Sequence, residues 1–225
     1  MFGDTAKRSF DIAVSAFGLA ILSPLLLAIG IVVAASSPGG ALFRQSRVGR
    51  HGATFTLLKF RSMTISDRSS TFTPGQSDRT TPVGRILRRS KLDELPQLWN
   101  VFVGDMSLVG PRPEVEAWTR VYPERWKTVL DVRPGITDVA SIEFRDEESI
   151  LASATDPEAC YRDQILPRKL ALAESYARNR SFRTDLGILA RTVIAVLGRG
   201  TGPTPSIERQ SEDERSVFQN RRRGE

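Results

Sequence analysis

Almost no charge falls between Ile12 and Phe43, where the chain reads Ile12-Ala-Val-Ser-Ala-Phe-Gly-Leu-Ala-Ile-Leu-Ser23-Pro24-Leu-Leu-Leu-Ala-Ile-Gly-Ile-Val-Val-Ala-Ala35. A helix needs roughly 20 apolar residues to cross a bilayer, and this run is long enough. Three readings fit it. The first is a single spanning helix. The second is a cleaved signal peptide ending near Ala34-Ala35-Ser36, although its apolar region is too long for one. The third is a re-entrant helix that dips into the membrane and returns. Two features favour the third. Ser23-Pro24 falls mid-run, where proline removes a backbone hydrogen bond and clashes with the preceding turn, so a kink is expected there. Both flanks are cationic, Lys7 and Arg8 before the run and Arg44, Arg47 and Arg50 after it, which assigns both to the cytoplasm.

Outside that run the chain is charged and basic, with 26% charged residues and a net charge of +6 over 225 residues. Such an excess attracts nucleic acid, anionic lipid or phosphorylated substrates. Cys160 is the sole cysteine and His51 the sole histidine, which excludes an internal disulfide and a multi-histidine zinc site. A serine–histidine triad is disfavoured too. Acid–base or nucleophilic chemistry falls mainly to carboxylates.

Ala41 to Arg47 and Thr54 to Phe60 are β-prone and separated by Gly49-Arg-His-Gly52, a hairpin pattern. The second run continues into Lys59-Phe-Arg61, two cations at alternate positions, which an ordinary solvated edge would also carry. Ile65 to Asp78 reads as a mobile loop. Pro82 opens a short helix with Arg85, Arg88 and Arg89 around it. Leu92 to Val103 reads as a second helix with Pro96 in its first turn, so Asp93 and Glu94 stand at its amino end. Ser90 followed by Asp93 and Glu94 also resembles a helix-capping arrangement. The surrounding cations, and Arg112 fixed between Pro111 and Pro113, point instead to a site for an anionic substrate.

Four stretches occur in order: Lys59-Phe-Arg-Ser-Met, Leu92-Asp-Glu-Leu-Pro-Gln-Leu-Trp-Asn100, Gly104-Asp-Met-Ser-Leu-Val-Gly-Pro-Arg-Pro-Glu114 and Arg133-Pro-Gly-Ile-Thr137. Together they resemble the bacterial sugar transferases, the monotopic phosphoglycosyl transferases. The likeness covers roughly Lys7 to Leu197 and is to the minimal form without an extra spanning domain. It implies transfer of a sugar-1-phosphate from a nucleoside diphosphate sugar, a UDP-sugar, to polyprenol phosphate. UMP is released and a covalent aspartyl-phosphosugar intermediate forms, as an opening step of glycoconjugate or exopolysaccharide synthesis. Mapped onto this sequence, Asp93 is the nucleophile and Mg²⁺ ligand, and Glu94 its partner. Lys59, Arg79, Arg88 and Arg112 are the phosphate-binding candidates. Pro111, Pro113, Glu114, Arg133 and Pro134 shape the turns beside them. The resemblance further implies the cytoplasmic face of the bacterial inner (plasma) membrane, with membrane lipid as a partner and room for a homo-oligomer. One position departs from the family pattern. Asp138 follows Arg133-Pro-Gly-Ile-Thr137 where glycine is usual, changing charge and backbone freedom near the sugar.

Pro157 to Asn179 and Asp185 to Leu197 read as amphipathic helices, the second basic enough to lie in a membrane interface or to pack on the core. The expected fold is therefore α+β, mainly helical. It divides into a membrane-inserted helix over 1–40, a catalytic unit over 41–199 and a basic, disordered tail over 200–225. Two alternatives remain beside the enzyme. A membrane-tethered scaffold needs only the anchor and the charge. A nucleic-acid binder needs interleaved aromatics that the basic residues lack, so no nucleic-acid partner is expected.

Overall fold

The apolar run forms one helix, α1 (Asp4–Ser36), uninterrupted through Pro24. Helical structure continues past Ser23-Pro24, and the reason is local. Pro24 cannot donate to the carbonyl of Ala20, and the Ser23 hydroxyl takes that acceptor instead (2.8 Å). The computed structural model describes residues 4–64 and 79–198. The loop expected over 65–78 and the tail expected over 200–225 lie outside the described residues.

Asp11, Ser15, Ile29 and Val33 of α1 are buried, with Gly18, Leu22 and Leu26 half-buried between them. That spacing of three and four residues draws a seam along the whole helix. The seam lies on the rest of the protein at both ends. Near the start, Arg8 donates to the carbonyls of Val101 (2.6 Å) and Phe102 (2.8 Å), Asp11 Oδ1 accepts from Leu108 N (3.2 Å), and Lys7 pairs with Asp185. Near the end, Ile29 and Val33 share a core with Phe60 and Leu87. The opposite face keeps Phe17, Ile21, Leu27 and Ile31 more than half exposed. Among the described residues α1 is the helix long and apolar enough to cross a membrane.

The hairpin is present, β1 (Leu42–Val48) antiparallel to β2 (Thr54–Phe60). After α2 (Pro82–Arg89), the single helix expected over Leu92 to Val103 is split into a 3₁₀ turn, Leu92–Glu94, and α3 (Gln97–Val103). Pro96 explains the split. Its missing N–H leaves the preceding turn to close by an i−3 bond from Leu95 to Leu92 (3.3 Å), and the α-helix starts only beyond it.

Two three-residue strands follow that the sequence pattern did not announce. β3 (Ser107–Val109) pairs in parallel with β4 (Gly135–Thr137), across the connection holding α4 (Glu116–Thr119) and α5 (Pro123–Val129). Gly110 and Gly135 permit that closeness. A Cβ on Gly135 would stand 2.1 Å from the backbone nitrogen of Gly110, where no side chain fits.

The remainder is helical: α6 (Val139–Glu143), α7 (Glu147–Ser153), α8 (Pro157–Cys160), α9 (Leu166–Asn179) and α10 (Phe182–Leu197). The helix expected from Pro157 to Asn179 carries a π turn at Tyr161–Ile165 just before Pro167, whose absent N–H disfavours regular α register. One core gathers Trp118, Trp126, Phe144, Tyr161, Leu166 and Leu170. A second joins the hairpin, β3 and α10 through Leu57, Met106, Val109, Tyr176 and Ile188. The class is α+β, mainly helical, as the sequence indicated.

Candidate active site

The hairpin sets the first functional side chain. Lys59, next to last in β2, donates to Glu94 Oε1 at 3.0 Å. Arg61, two residues on, turns to structure and donates to the carbonyls of Gly39 (2.6 Å) and Gly40 (3.0 Å). Asn100 fixes the helix opposite. Its side-chain oxygen accepts from Leu58 N (3.1 Å) and its amide donates to Thr56 O (2.8 Å), imitating a neighbouring strand. That amide clamps α3, and the turn ahead of it, against the strand bearing Lys59.

Asp93 and Glu94 sit in that turn, behind Lys91 at a left-handed φ of 56°. Successive residues of a 3₁₀ turn point about 120° apart, so the two carboxylates meet different surroundings. Glu94 Oε1 accepts from both Arg112 Nη2 (2.7 Å) and Lys59 Nζ (3.0 Å). Burial alone would raise its pKa, but Arg112 and Lys59 outweigh burial and hold it well below the ordinary carboxylate range. Burial pushes Lys59 down to about 8 against the pull of Glu94, and the Arg112 charge adds to the fall. Glu94 in turn raises the pKa of Arg112.

Asp93 is buried, yet its Oδ1 accepts no hydrogen bond among the described residues. Burial raises its pKa, Lys59 opposes that, and Glu94 adds to it. The capping alternative fails here. The Ser90 hydroxyl donates back to Ile86 O (2.8 Å) and Leu87 O (3.2 Å), and the cap position of the turn is Lys91, without a side-chain bond. No cluster of three His, Cys, Asp or Glu side chains able to hold a metal occurs among the described residues. One unpartnered carboxylate oxygen beside a wall of cations suits a ligand that brings its own anionic oxygens.

Arg112 is aimed by the turn around it. Pro111 O accepts from Gly135 N (2.9 Å), Arg112 N donates to Asp138 Oδ2 (3.1 Å), and Pro113 O accepts from Arg47 Nη1 (3.1 Å). Glu114 is the buried post of this turn. It accepts from the Tyr161 hydroxyl (2.6 Å) and pairs with Arg47 (3.4 Å) and Lys169 (3.7 Å). Burial raises the Glu114 pKa, and Lys169 and Arg47 more than reverse it. Burial and Glu114 together drive the Tyr161 hydroxyl well above its usual value.

The other predicted residues are more dispersed. Arg133 Nε donates to Gly104 O (3.0 Å) and Pro134 O accepts from Ser107 N (2.8 Å), so both join β3 to β4 behind the site. Arg88 pairs with Glu148 of α7, while its charge still lowers the Asp93 pKa. Arg79 donates to Thr64 O (2.9 Å), beside the bridge between Met63 and Thr80. Asp138 is extended at φ −153°, so this position demands no glycine conformation, and its Oδ1 caps α6 by accepting from Ser141 N (2.7 Å).

Sequence reasoning did not single out Arg47, Asn100, Tyr161 or Lys169 as contributors, because each meets the site only through distant packing. Gln97 carried a faint signal, being polar within an apolar helix pattern. It is buried four residues after Asp93, and its Nε2 has no hydrogen-bond partner among the described residues.

A family model described as "Bacterial sugar transferase" matches residues 2–199. The UDP-glucose:undecaprenyl-phosphate glucose-1-phosphate transferase of Caulobacter vibrioides is 38% identical over 199 residues, covering 86% of this chain and 70% of the relative. The exopolysaccharide production protein ExoY of Sinorhizobium fredii is 33% identical over 217 residues, covering 88% and 89%. The UDP-N-acetylgalactosamine-undecaprenyl-phosphate N-acetylgalactosaminephosphotransferase of Aeromonas hydrophila is 39% identical over 142 residues, covering 60% of this chain and 33% of its own length.

Proposed function

The chain belongs to the bacterial sugar transferase family and is an enzyme, and from that premise we propose that it moves a sugar-1-phosphate from a UDP-sugar to undecaprenyl phosphate through a covalent intermediate on Asp93. The observation that carries this reading is the unpartnered, buried Oδ1 of Asp93 beside a Glu94 already neutralised by Lys59 and Arg112. A carboxylate needs no histidine to activate it, and His51 is the sole histidine of the chain.

In the first step an Asp93 oxygen attacks the sugar-bearing phosphorus of the donor. The bond from that phosphorus to the bridging oxygen breaks, and UMP leaves with the electron pair. In the second, a phosphate oxygen of the acceptor attacks the same phosphorus, the aspartyl–phosphorus bond breaks, and the carboxylate is restored. Arg112 and Lys59 balance the charge on the transferring phosphoryl oxygens, and Glu94 keeps both cations in register. Arg88, whose charge reaches Asp93, is the candidate for an outer phosphate contact. A bound Mg²⁺ would supply charge neutralisation on the pyrophosphate. Asp93 would hold it, the remaining ligands coming from substrate oxygens and water.

The seam of α1 supports a membrane placement. A helix docked at both ends on one body cannot cross a bilayer without drawing that body in, and its exposed apolar face needs cover from water. The family is membrane-associated in bacteria, and on this reading the protein sits on the cytoplasmic face of the inner membrane with α1 re-entrant in the near leaflet. UMP release from a panel of UDP-sugars, with undecaprenyl phosphate and Mg²⁺ present, tests the reaction. Release should need the cation and fall at least about 10³-fold in Asp93→Asn. Equal release by the variant would remove Asp93 from the chemistry. A pure scaffold predicts no release from any donor.

A further inference from the structure

We infer that Asp138 is a positioning residue for Arg112, its carboxylate bridging the amino end of α6 to the backbone of the Pro111-Arg112-Pro113 turn. This deepens the proposed function, since it rests on Arg112 meeting substrate phosphate. Neither proline has an N–H, so the amide of Arg112 is the one backbone donor in the tripeptide. That donor goes to Asp138 Oδ2 at 3.1 Å, while Oδ1 accepts from Ser141 N at 2.7 Å. Asp138 is 5% exposed, so water cannot readily replace either bond.

Gly135 N donates to Pro111 O, which shares one planar peptide with the Arg112 N–H, and Arg47 Nη1 donates to Pro113 O beyond it. The Asp138 bond holds the opposite edge of that same peptide, so the two together fix its rotation and the line along which the Arg112 side chain runs to Glu94 Oε1. A shorter side chain would serve one of the two amides and abandon the other. The two oxygens of the carboxylate give each amide its own acceptor.

Asp138→Ser separates the two tasks. Serine caps helices about as well as aspartate, so α6 is retained, but its single oxygen lies one atom closer to the backbone and leaves Arg112 N unpaired. In ¹⁵N-labelled protein the Arg112 amide should exchange at least about tenfold faster in the variant. KM for the nucleotide sugar should rise about fivefold or more with kcat changed less, the sign of a misaimed binding group. The same substitution should add less than about twofold to the defect of Arg112→Ala, because the partner it positions is already gone. Asp156→Ser swaps an equivalent cap at α8, which accepts from Ala159 N (2.9 Å), and should alter neither exchange at Arg112 nor KM.

Unchanged Arg112 exchange in Asp138→Ser overturns the inference. So does a kinetic loss of the same factor with and without Arg112, or faster exchange with unaltered kinetics. If the parent protein turns over no nucleotide sugar, the functional reading falls, and the exchange measurement still decides what Asp138 holds.

Discussion

Burial brings the ionisation of Lys59 towards physiological pH. Its pKa falls to about 8 from an ordinary value of 10.5, so the amine is charged below that pH and neutral above. The site needs its charge beside Arg112, and kcat/KM should therefore fall as pH rises through about 8. Lys59→Arg stays protonated throughout, and its alkaline limb should move beyond pH about 10. On the acid side burial raises Asp93, and the nucleophile must be ionised, so activity should begin to fail at a pH above that of an ordinary aspartate. A pH–rate profile reads both limbs. An alkaline limb that Lys59→Arg leaves in place would assign it to another group. At this scale the sequence was informative where chemistry is contiguous. Asp93 and Glu94 stand in one motif and Arg112 in the next, and Lys59 lies at the end of a recognisable strand pattern. Arg88 drew notice by charge alone, and folding gave it Glu148 as a partner. Tyr161 and Lys169 could not be anticipated, since their partner Glu114 lies 47 and 55 residues away in the chain.

Among the elements, those with strong periodicity or turn chemistry were legible. The hairpin, α2 and α10 lie within a few residues of where alternation, Pro82 and the amphipathic pattern placed them. The parallel pair of β3 and β4 was not, because three-residue strands carry too short a pattern to separate from loop. Their signal was Gly110 and Gly135, glycines whose purpose is close approach rather than turning. Gly135→Ala should destabilise the protein by at least about 2 kcal/mol, since both neighbours at the contact are backbone. Gly187→Ala makes the comparison. It sits inside α10, where an added methyl group would meet nothing within 4 Å, and should stabilise by roughly 0.5–1 kcal/mol. Denaturant midpoints of the two variants measure this. Equal effects would mean that the backbone contact between Gly110 and Gly135 is not close in solution.

For the whole molecule, the relation of α1 to the body decides how the enzyme meets its lipid. The apolar run announced a membrane helix, but periodicity could not tell its docked seam from its exposed face, because both are mostly apolar. The body supplied that distinction through Leu98, Leu108 and Phe60. With Cys160 replaced by serine, Thr5→Cys and Arg44→Cys should both react with an impermeant reagent from the cytoplasmic side of oriented vesicles, and labels on opposite sides would make α1 a span. The charge arrangement around Asp93 has a more direct test. Protein mixed with a reactive UDP-sugar and Mg²⁺, without acceptor, should gain the mass of one phosphosugar, located on Asp93 by peptide sequencing and absent from Asp93→Asn. UMP release without any adduct, or an adduct that persists in Asp93→Asn, would contradict transfer through that carboxylate.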